Sequence, residues 1–138
     1  MMHIFIDTNV VIDFLANREP FSTEAAEIFE LCESGKLIAY TAAVSFNNIY
    51  YILRQKTGHD ATIIALQELA SLVAIMDVTS NIIRQALSSG NSDFEDAIQY
   101  YTAITSNGIE AIITRDPRGF RNSNIRVLSP AEFLAELR

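Results

Sequence analysis

The sequence predicts an α/β fold built on a central, mainly parallel sheet of about five strands. Short apolar segments alternate with longer segments whose apolar residues recur at helical spacing. Strands separated by helices run parallel through right-handed crossovers, so helices are expected to cover both faces of the sheet. No internal repeat or interdomain linker interrupts the alternation, and we expect residues 1–138 to form a single domain.

Capping residues and glycines divide the chain into elements. Serine and threonine are expected to begin several helices, and Gly35 and Gly58 to end two of them. The expected strands are 3–7, 37–40, 72–76, 111–114 and 126–128. The expected helices are 9–15, Ser22 or Thr23 to Ser34, Thr41 (as N-cap) to Gln55, Asp60 to Ala70, one capped by Thr79, Asp93 to Ser106, and one from Pro130 with Ser129 as its cap.

Composition excludes some classes of protein. The formal net charge of −7 argues against a broad surface that coats nucleic acid, because phosphate affinity depends on lysine and arginine. It suits carboxylates that bind a divalent cation, or a basic partner protein. Cys32 is the only cysteine, which excludes a disulfide framework. The first strand follows Met1 closely and no apolar run approaches a membrane span, so we expect a cytoplasmic protein that does not associate with membranes.

Two acidic residues stand at the ends of predicted strands. Asp7 ends the first strand, and Asp116 follows the fourth strand after Thr114. The carboxyl ends of parallel strands form the edge at which open α/β sheets bind ligands. Asp116 alone also fits an Asp-Pro turn, since Pro117 follows it. If the two strands are neighbours, both acids converge on one edge.

A second acidic segment begins the helix at Asp93. Asp93 and Asp96 share one flank of this helix, where they could line a cleft or only compensate the helix dipole. Ser92 and Glu95 match a capping box, and we expect Glu95 and Gln99 to point away from the cleft. The expected buried stripe of this helix is Phe94, Ala97, Ile98, Tyr101 and Ile104.

This combination of side chains predicts a metal site. Clustered carboxylates repel one another and must be protonated or bind a cation. Oxygen donors favour Mg²⁺ or Mn²⁺, which position and activate water for phosphodiester hydrolysis. Arg115, Arg118 and Arg121 follow the fourth strand. They are either contacts for a phosphate backbone beside the acids or residues of a solvated loop.

Three motifs together resemble the PIN domain family, and at this length the chain resembles a VapC-type toxin. Residues 6–13 (Ile-Asp-Thr-Asn-Val-Val-Ile-Asp) are similar to the family's opening motif. Residues 93–97 and 113–116 are similar to its third and fourth acidic sites. The resemblance implies a three-layer α/β/α fold and a ribonuclease that depends on Mg²⁺ or Mn²⁺. It also implies a homodimer and a small antitoxin that inserts into the active-site groove.

The resemblance also implies roles for individual residues. Asp7, Asp96 and Asp116 would be the catalytic metal ligands, with Asp93 as an extra acid that replaces or assists Asp96. The supporting residues would be Thr8, Asn9, Ser45, Asn48 and Thr114. The family normally carries a glutamate in the helix that here holds Ser45 and Asn48, and Asn48 occupies that place. An amide oxygen can bind a metal but brings no charge.

Two hypotheses follow. The first is a metal-dependent endoribonuclease acting on single-stranded or structured RNA as the toxin of a toxin–antitoxin pair. The alternative is a catalytically weakened PIN-fold module that binds RNA or protein, which Asn48 and the acidic charge favour. A phosphoacceptor domain is disfavoured, because Asn9 stands where a haloacid-dehalogenase-like enzyme needs its second aspartate. The apolar residues Val10, Val11, Phe14 and Leu15 fit either a core or an interface.

Overall fold

The computed structural model describes residues 1–138 and contains one parallel sheet in the order β3-β2-β1-β4-β5. Every neighbouring pair of strands is parallel. The strands are β1 (Met2–Ile6), β2 (Leu37–Ala42), β3 (Ala74–Met76), β4 (Ala111–Ile113) and β5 (Arg126–Leu128). The predicted parallel α/β fold is confirmed, with helices on both faces of five strands.

Seven α-helices and one 3₁₀ helix accompany the strands. The α-helices are α1 (Thr8–Leu15), α2 (Ser22–Glu33), α3 (Ala43–Thr57), α4 (His59–Leu72), α5 (Ser80–Ser88), α6 (Phe94–Ala103) and α7 (Pro130–Leu137). The 3₁₀ helix spans Pro117–Phe120. No helix is both long enough and apolar enough to cross a membrane.

Alternating side chains of β1 supply both layers of the core. Ile4 and Ile6 face a large cluster that includes Ile28, Ile49 and Phe133 from helices. Phe5 faces the opposite cluster, which includes Ala103 and Phe120. This alternation follows from the two-residue period of a strand and buries the central strand on both faces.

The apolar residues of α1 belong to the core. Val10 and Val11 are fully buried, and the Phe14 ring stacks on Phe29 with 4.4 Å between centroids. Leu15 is half-buried against the same cluster. The structure thus favours the core reading of this segment over the interface reading.

Several predicted boundaries were wrong by a few residues. Thr41 does not cap a helix; it is a buried residue of β2, and α3 begins at Ala43. The third strand begins at Ala74 because Leu72 still belongs to α4. Apolar runs of this length fit a helix end or a buried strand equally well, so only the packing decides. Thr79 and Ser129 do cap their helices as predicted.

The start and buried face of α6 also differ from the prediction. Asp93, not Ser92, is the N-cap, and its carboxylate accepts a hydrogen bond from the Asp96 amide at 3.0 Å. Phe94 is 46% exposed, whereas Gln99 is fully buried. Helix α6 packs against both α5 and the sheet, so its buried arc is wider than one apolar stripe and includes a polar side chain.

Candidate active site

The carboxyl edge of the sheet holds Asp7 in a network of buried hydrogen bonds. Asp7 is 3% exposed and directly follows β1. The Gln99 amide donates to Asp7 Oδ1 at 2.8 Å, and the Thr114 hydroxyl donates to Oδ2 at 2.6 Å. Strands β1 and β4 are neighbours, so Thr114 at the end of β4 reaches Asp7 across the sheet edge. Both Asp7 oxygens are therefore fixed in direction.

Thr8 extends this network toward α3. Its backbone N–H donates to Gln99 Oε1 at 3.1 Å, and its hydroxyl donates to Ser45 Oγ at 2.8 Å. Gln99 therefore accepts from Thr8 while donating to Asp7, which sets the orientation of its amide. The predicted supporting residues Thr8, Ser45 and Thr114 all lie in this buried network.

Five carboxylates line one open cavity of about 280 Å³ beside this network. The acids are Asp7, Asp93, Glu95, Asp96 and Asp116. The three predicted catalytic acids and the extra acid Asp93 are thus brought together. Glu95 is the fifth, and the expectation that it points away was wrong. The same expectation was wrong for Gln99, because its side-chain amide donates a hydrogen bond to Asp7.

Glu95 lies beside the residue that replaces the family's usual glutamate. The Asn48 amide donates to Glu95 Oε2 at 2.6 Å, joining α3 to α6. The position that lacks an acid on α3 is therefore next to a carboxylate from α6. Glu95 and Gln99 are one helical turn apart, and this i, i+4 spacing of polar residues is the sequence signal that marks the face.

Burial and mutual repulsion disfavour the ionised forms of these acids. Burial raises the pKa of Asp96 to about 7, and the charges of Asp7 and Asp93 add to the effect. Burial also raises the pKa of Glu95, with Asp7 as the next contributor. Burial raises the pKa of Asp7 although its hydrogen bonds from Thr114 and Gln99 oppose the shift. A cation that enters the cavity would relieve this repulsion.

Asp116 is held differently, by an arginine of its own loop. The Arg118 guanidinium donates to both Asp116 oxygens at 2.8 Å, and the Arg118 amide adds a bond at 3.2 Å. The side-chain hydrogen bond from Arg118 is the main reason why the pKa of this exposed carboxyl is lowered to about 2. No group of three acids has the arrangement of a complete metal site in the structure. The ion pair with Arg118 occupies Asp116, which is one of the predicted metal ligands.

The donors nevertheless fit a hard divalent cation. The cavity offers carboxylate oxygens from the end of β1, the start of α6 and the loop after β4, which is the chemistry that Mg²⁺ and Mn²⁺ prefer. Asn9 also lines the cavity, and its buried Oδ1 has no hydrogen-bond partner in the protein. Buried polar atoms are normally paired, so this oxygen suits a water molecule bound to a cation.

Gly119 allows the loop after β4 to approach α6. A Cβ atom at Gly119 would lie 1.8 Å from Asp96 Oδ2 and 2.6 Å from Asp96 Cβ. The Asn91 amide donates to the Gly119 carbonyl at 2.9 Å and fixes this approach. The absence of a side chain at Gly119 therefore keeps the Asp96 carboxylate in the cavity. Sequence reasoning did not identify this position.

The arginines of the loop divide into two groups. Arg115 forms a two-point ion pair with the buried Asp13 and lies 3.8 Å from the Phe21 ring centroid. Arg18 also bonds Asp13, at 2.9 Å. Arg115 therefore connects α1 to the end of β4 and is engaged within the fold. Arg118 and Arg121 instead line a cavity that opens beside the acids.

Comparison with known proteins identifies the family of the chain. A family model for the PIN domain matches residues 3–118. The chain belongs to the PIN domain family. A search of curated protein sequences finds no match.

Solved PIN-fold structures resemble this PIN domain at low sequence identity. The VapC20 toxin of Mycobacterium tuberculosis, described as cleaving the sarcin–ricin loop, has 19% identity and a TM-score of 0.66, over 86% of this chain and 94% of that one. The DNA-bound VapBC of Salmonella typhimurium has 16% identity and a TM-score of 0.70, over 94% and 99%. VapBC-1 of Haemophilus influenzae has 15% identity and a TM-score of 0.68, over the same shares. The fold is thus that of VapC toxins.

Proposed function

We propose that this PIN domain is a Mg²⁺- or Mn²⁺-dependent endoribonuclease and the toxin of a toxin–antitoxin pair. The observation that carries the proposal is the convergence of five carboxylates on one cavity at the carboxyl edge of the sheet. The similarity in fold to a toxin that cleaves the sarcin–ricin loop favours RNA as the substrate. The proposed site of action is the cytoplasm.

Asp7, Asp96 and Asp116 are the proposed metal ligands. Glu95 supplies the charge that Asn48 lacks, and Asp93 adds a further acid at the helix start. Bound there, a divalent cation would supply Lewis-acid stabilisation of the phosphodiester and an activated water. Gln99 and Thr114 hold Asp7 in one orientation, and the unpaired Asn9 oxygen is placed to accept a hydrogen bond from water.

Arg118 is proposed to exchange partners when substrate and cation bind. In the structure it neutralises Asp116. When Asp116 binds a cation, the guanidinium is released at the rim of the cavity, where it would pair with an RNA phosphate. Arg118 thus answers the objection that a chain of net charge −7 repels RNA, because the positive charge needed is local.

The proposed partners are an antitoxin and a second copy of the chain. Solved structures of the same fold include VapBC complexes, which supports a small antitoxin partner. An antitoxin segment with a basic side chain would suit the acidic cavity. Size-exclusion chromatography with light scattering tests the proposed homodimer, and it should give twice the mass of one chain.

Cleavage of RNA in the presence of Mn²⁺ tests the activity. Wild-type protein should cleave single-stranded RNA in proportion to bound Mn²⁺, and Asp7→Asn should not. Glu33→Gln removes an exposed acid at the opposite edge of the sheet and should behave as wild type. Equal cleavage by wild type and Asp7→Asn would refute the proposed active site. Absence of cleavage at millimolar Mn²⁺ would favour the alternative, a non-catalytic binding module.

A further inference from the structure

A second cavity of about 470 Å³ lies beside the acidic one, between α6 and the loop that follows β4. We name it the tyrosine pocket, after Tyr100 and Tyr101 of α6, which line it together with Ile104. The remaining walls are mainly serine, asparagine and arginine side chains from residues 89–92 and 118–124. The acids of the proposed metal site do not line it. The proposed catalytic reaction leaves it without a role.

The two tyrosine rings give the pocket an aromatic surface. Their centroids are 5.3 Å apart and their planes meet at 72°, an edge-to-face arrangement that fixes one ring against the other. The Tyr100 hydroxyl accepts a hydrogen bond from the backbone N–H of Asn124 at 3.2 Å, which ties Tyr100 to the loop. Both rings are half-buried. Tyr101 is therefore braced by Tyr100 while part of it stays open to solvent.

A third cavity of about 310 Å³ shares lining residues with both the tyrosine pocket and the acidic cavity. Asp93, Asp96 and Asp116 form its wall toward the acidic cavity. Arg118 and Arg121 line it as well and also line the tyrosine pocket. Arg121 forms none of the ion pairs in the structure. The lining of these neighbouring cavities thus passes from carboxylates, through two arginines, to an aromatic surface.

This order of groups matches the chemistry of a single-stranded nucleotide. Single-stranded RNA is bound through unstacked bases that lie on aromatic rings and through phosphates that pair with arginine. Asn122 and Asn124 at the pocket wall offer amide groups that can bond the edge of a base. An apolar protein side chain could occupy the aromatic surface, but it would leave Arg121, which lines both the tyrosine pocket and the third cavity, without an anion.

We propose that the tyrosine pocket binds an unstacked RNA nucleobase next to the scissile phosphate. Tyr101 is the stacking surface, and Arg121 contacts the intervening phosphate. The proposal rests on the proposed ribonuclease function, and it makes this pocket the part of the protein that selects which nucleotide is placed at the site. The pocket is a binding site and takes no part in the hydrolysis itself.

The absence of tryptophan from the chain allows a direct test. Tyr101→Trp places the protein's single tryptophan in the pocket, and Tyr51→Trp places it at an exposed position of α3 outside the pocket; excitation at the red edge of the spectrum selects tryptophan over tyrosine. In EDTA, a mixed-sequence single-stranded RNA hexamer should quench the first protein strongly and the second weakly. An abasic hexamer should quench neither. Equal quenching of both proteins by the normal hexamer would overturn the proposal.

Affinity measurements on the metal-free protein separate base from phosphate recognition. Tyr101→Ala should weaken binding of the hexamer roughly tenfold, whereas Tyr101→Phe should not, because stacking needs only the ring. Arg121→Ala should weaken binding of both the normal and the abasic hexamer. Circular dichroism confirms that the variants are folded. A Tyr101→Ala protein that is folded and binds the normal hexamer like wild type would contradict the assignment, even if an antitoxin peptide were found to need Tyr101.

The outcome separates the two proposals. With Mn²⁺ added, Tyr101→Ala should change the preferred cleavage positions in RNA while Asp7→Asn abolishes cleavage. Unchanged positions in Tyr101→Ala, with cleavage intact, would refute the pocket and leave the ribonuclease standing. RNA-dependent quenching without any cleavage by wild type would support the pocket and refute the ribonuclease.

Discussion

The side-chain amide of Asn48 donates a 2.6 Å hydrogen bond to the carboxylate of Glu95. Asn48 of α3 stands where the resemblance implies a glutamate, and α6 places the Glu95 carboxylate beside it. We infer that Glu95, on a different helix, supplies the carboxylate that Asn48 lacks. This relationship is the main reason to favour an active enzyme over a weakened binding module.

Exchanging the two side chains tests this relationship. Glu95→Gln should weaken Mn²⁺ binding roughly tenfold or more, since changes beside metal ligands commonly cost 10–100-fold. The double variant Asn48→Glu with Glu95→Gln restores one carboxylate and one amide and should recover most of the affinity. Isothermal titration calorimetry measures both, with Glu33→Gln as the matched control. A double variant as weak as Glu95→Gln would show that the charge must come from α6.

Substitution of Gly119 tests the close approach of the loop to Asp96. Gly119→Ala places a methyl group on the Asp96 carboxylate and should reduce Mn²⁺ affinity about as much as Asp96→Asn does. Gly108→Ala is the matched control, because the nearest atom to its Cβ is 3.9 Å away. The same calorimetry checks this expectation. Unchanged metal affinity in Gly119→Ala would mean that Asp96 is not a ligand.

Removal of Arg118 should raise the affinity of the protein for Mn²⁺ and lower its affinity for RNA. Arg118→Ala frees Asp116 and should raise Mn²⁺ affinity in the absence of RNA by a few-fold. It should also weaken binding of single-stranded RNA, since a phosphate contact is lost. Arg126→Ala breaks another surface pair, with Glu136, and should change neither affinity. If Arg118→Ala lowered metal affinity, the exchange of partners would be refuted.

The buried Asp13 should matter for stability rather than for chemistry. Asp13→Ala leaves Arg18 and Arg115 without their shared carboxylate and should lower the free energy of unfolding by about 3 kcal/mol. Urea denaturation measures the loss. Glu33→Gln should unfold near the wild-type midpoint. If Asp13→Ala lowered the free energy of unfolding by less than about 1 kcal/mol, the ion pair would contribute little to stability, and Arg115 would again be a candidate for contact with RNA.

Sequence reasoning identified the fold and the acids at the sheet edge because both follow from local patterns. Asp7 and Thr114 lie at the ends of apolar strands, and parallel strands place such ends together. Gln99 was missed because a helical stripe assumes one buried face, whereas α6 is buried on two sides. The pairing of Arg115 with Asp13 joins residues far apart in the chain, and no local pattern contains it.

The role of Gly119 also lay beyond the sequence. A glycine in a loop indicates a turn or a close approach, but only the structure shows that the approached group is Asp96. The sequence predicts that Asn48 departs from the family pattern, but the consequence of that departure depends on where Glu95 points. Periodicity placed Glu95 on the wrong face, since it assumes one narrow buried stripe, whereas α6 packs against both the sheet and α5.

The most direct test of the central claim is the rate of RNA cleavage measured against Mn²⁺ concentration for wild type, Asp7→Asn and Glu33→Gln. The five-carboxylate cavity predicts a saturable dependence on Mn²⁺ for wild type and Glu33→Gln, with no cleavage by Asp7→Asn. Cleavage that is independent of Mn²⁺, or that survives Asp7→Asn, would contradict the account.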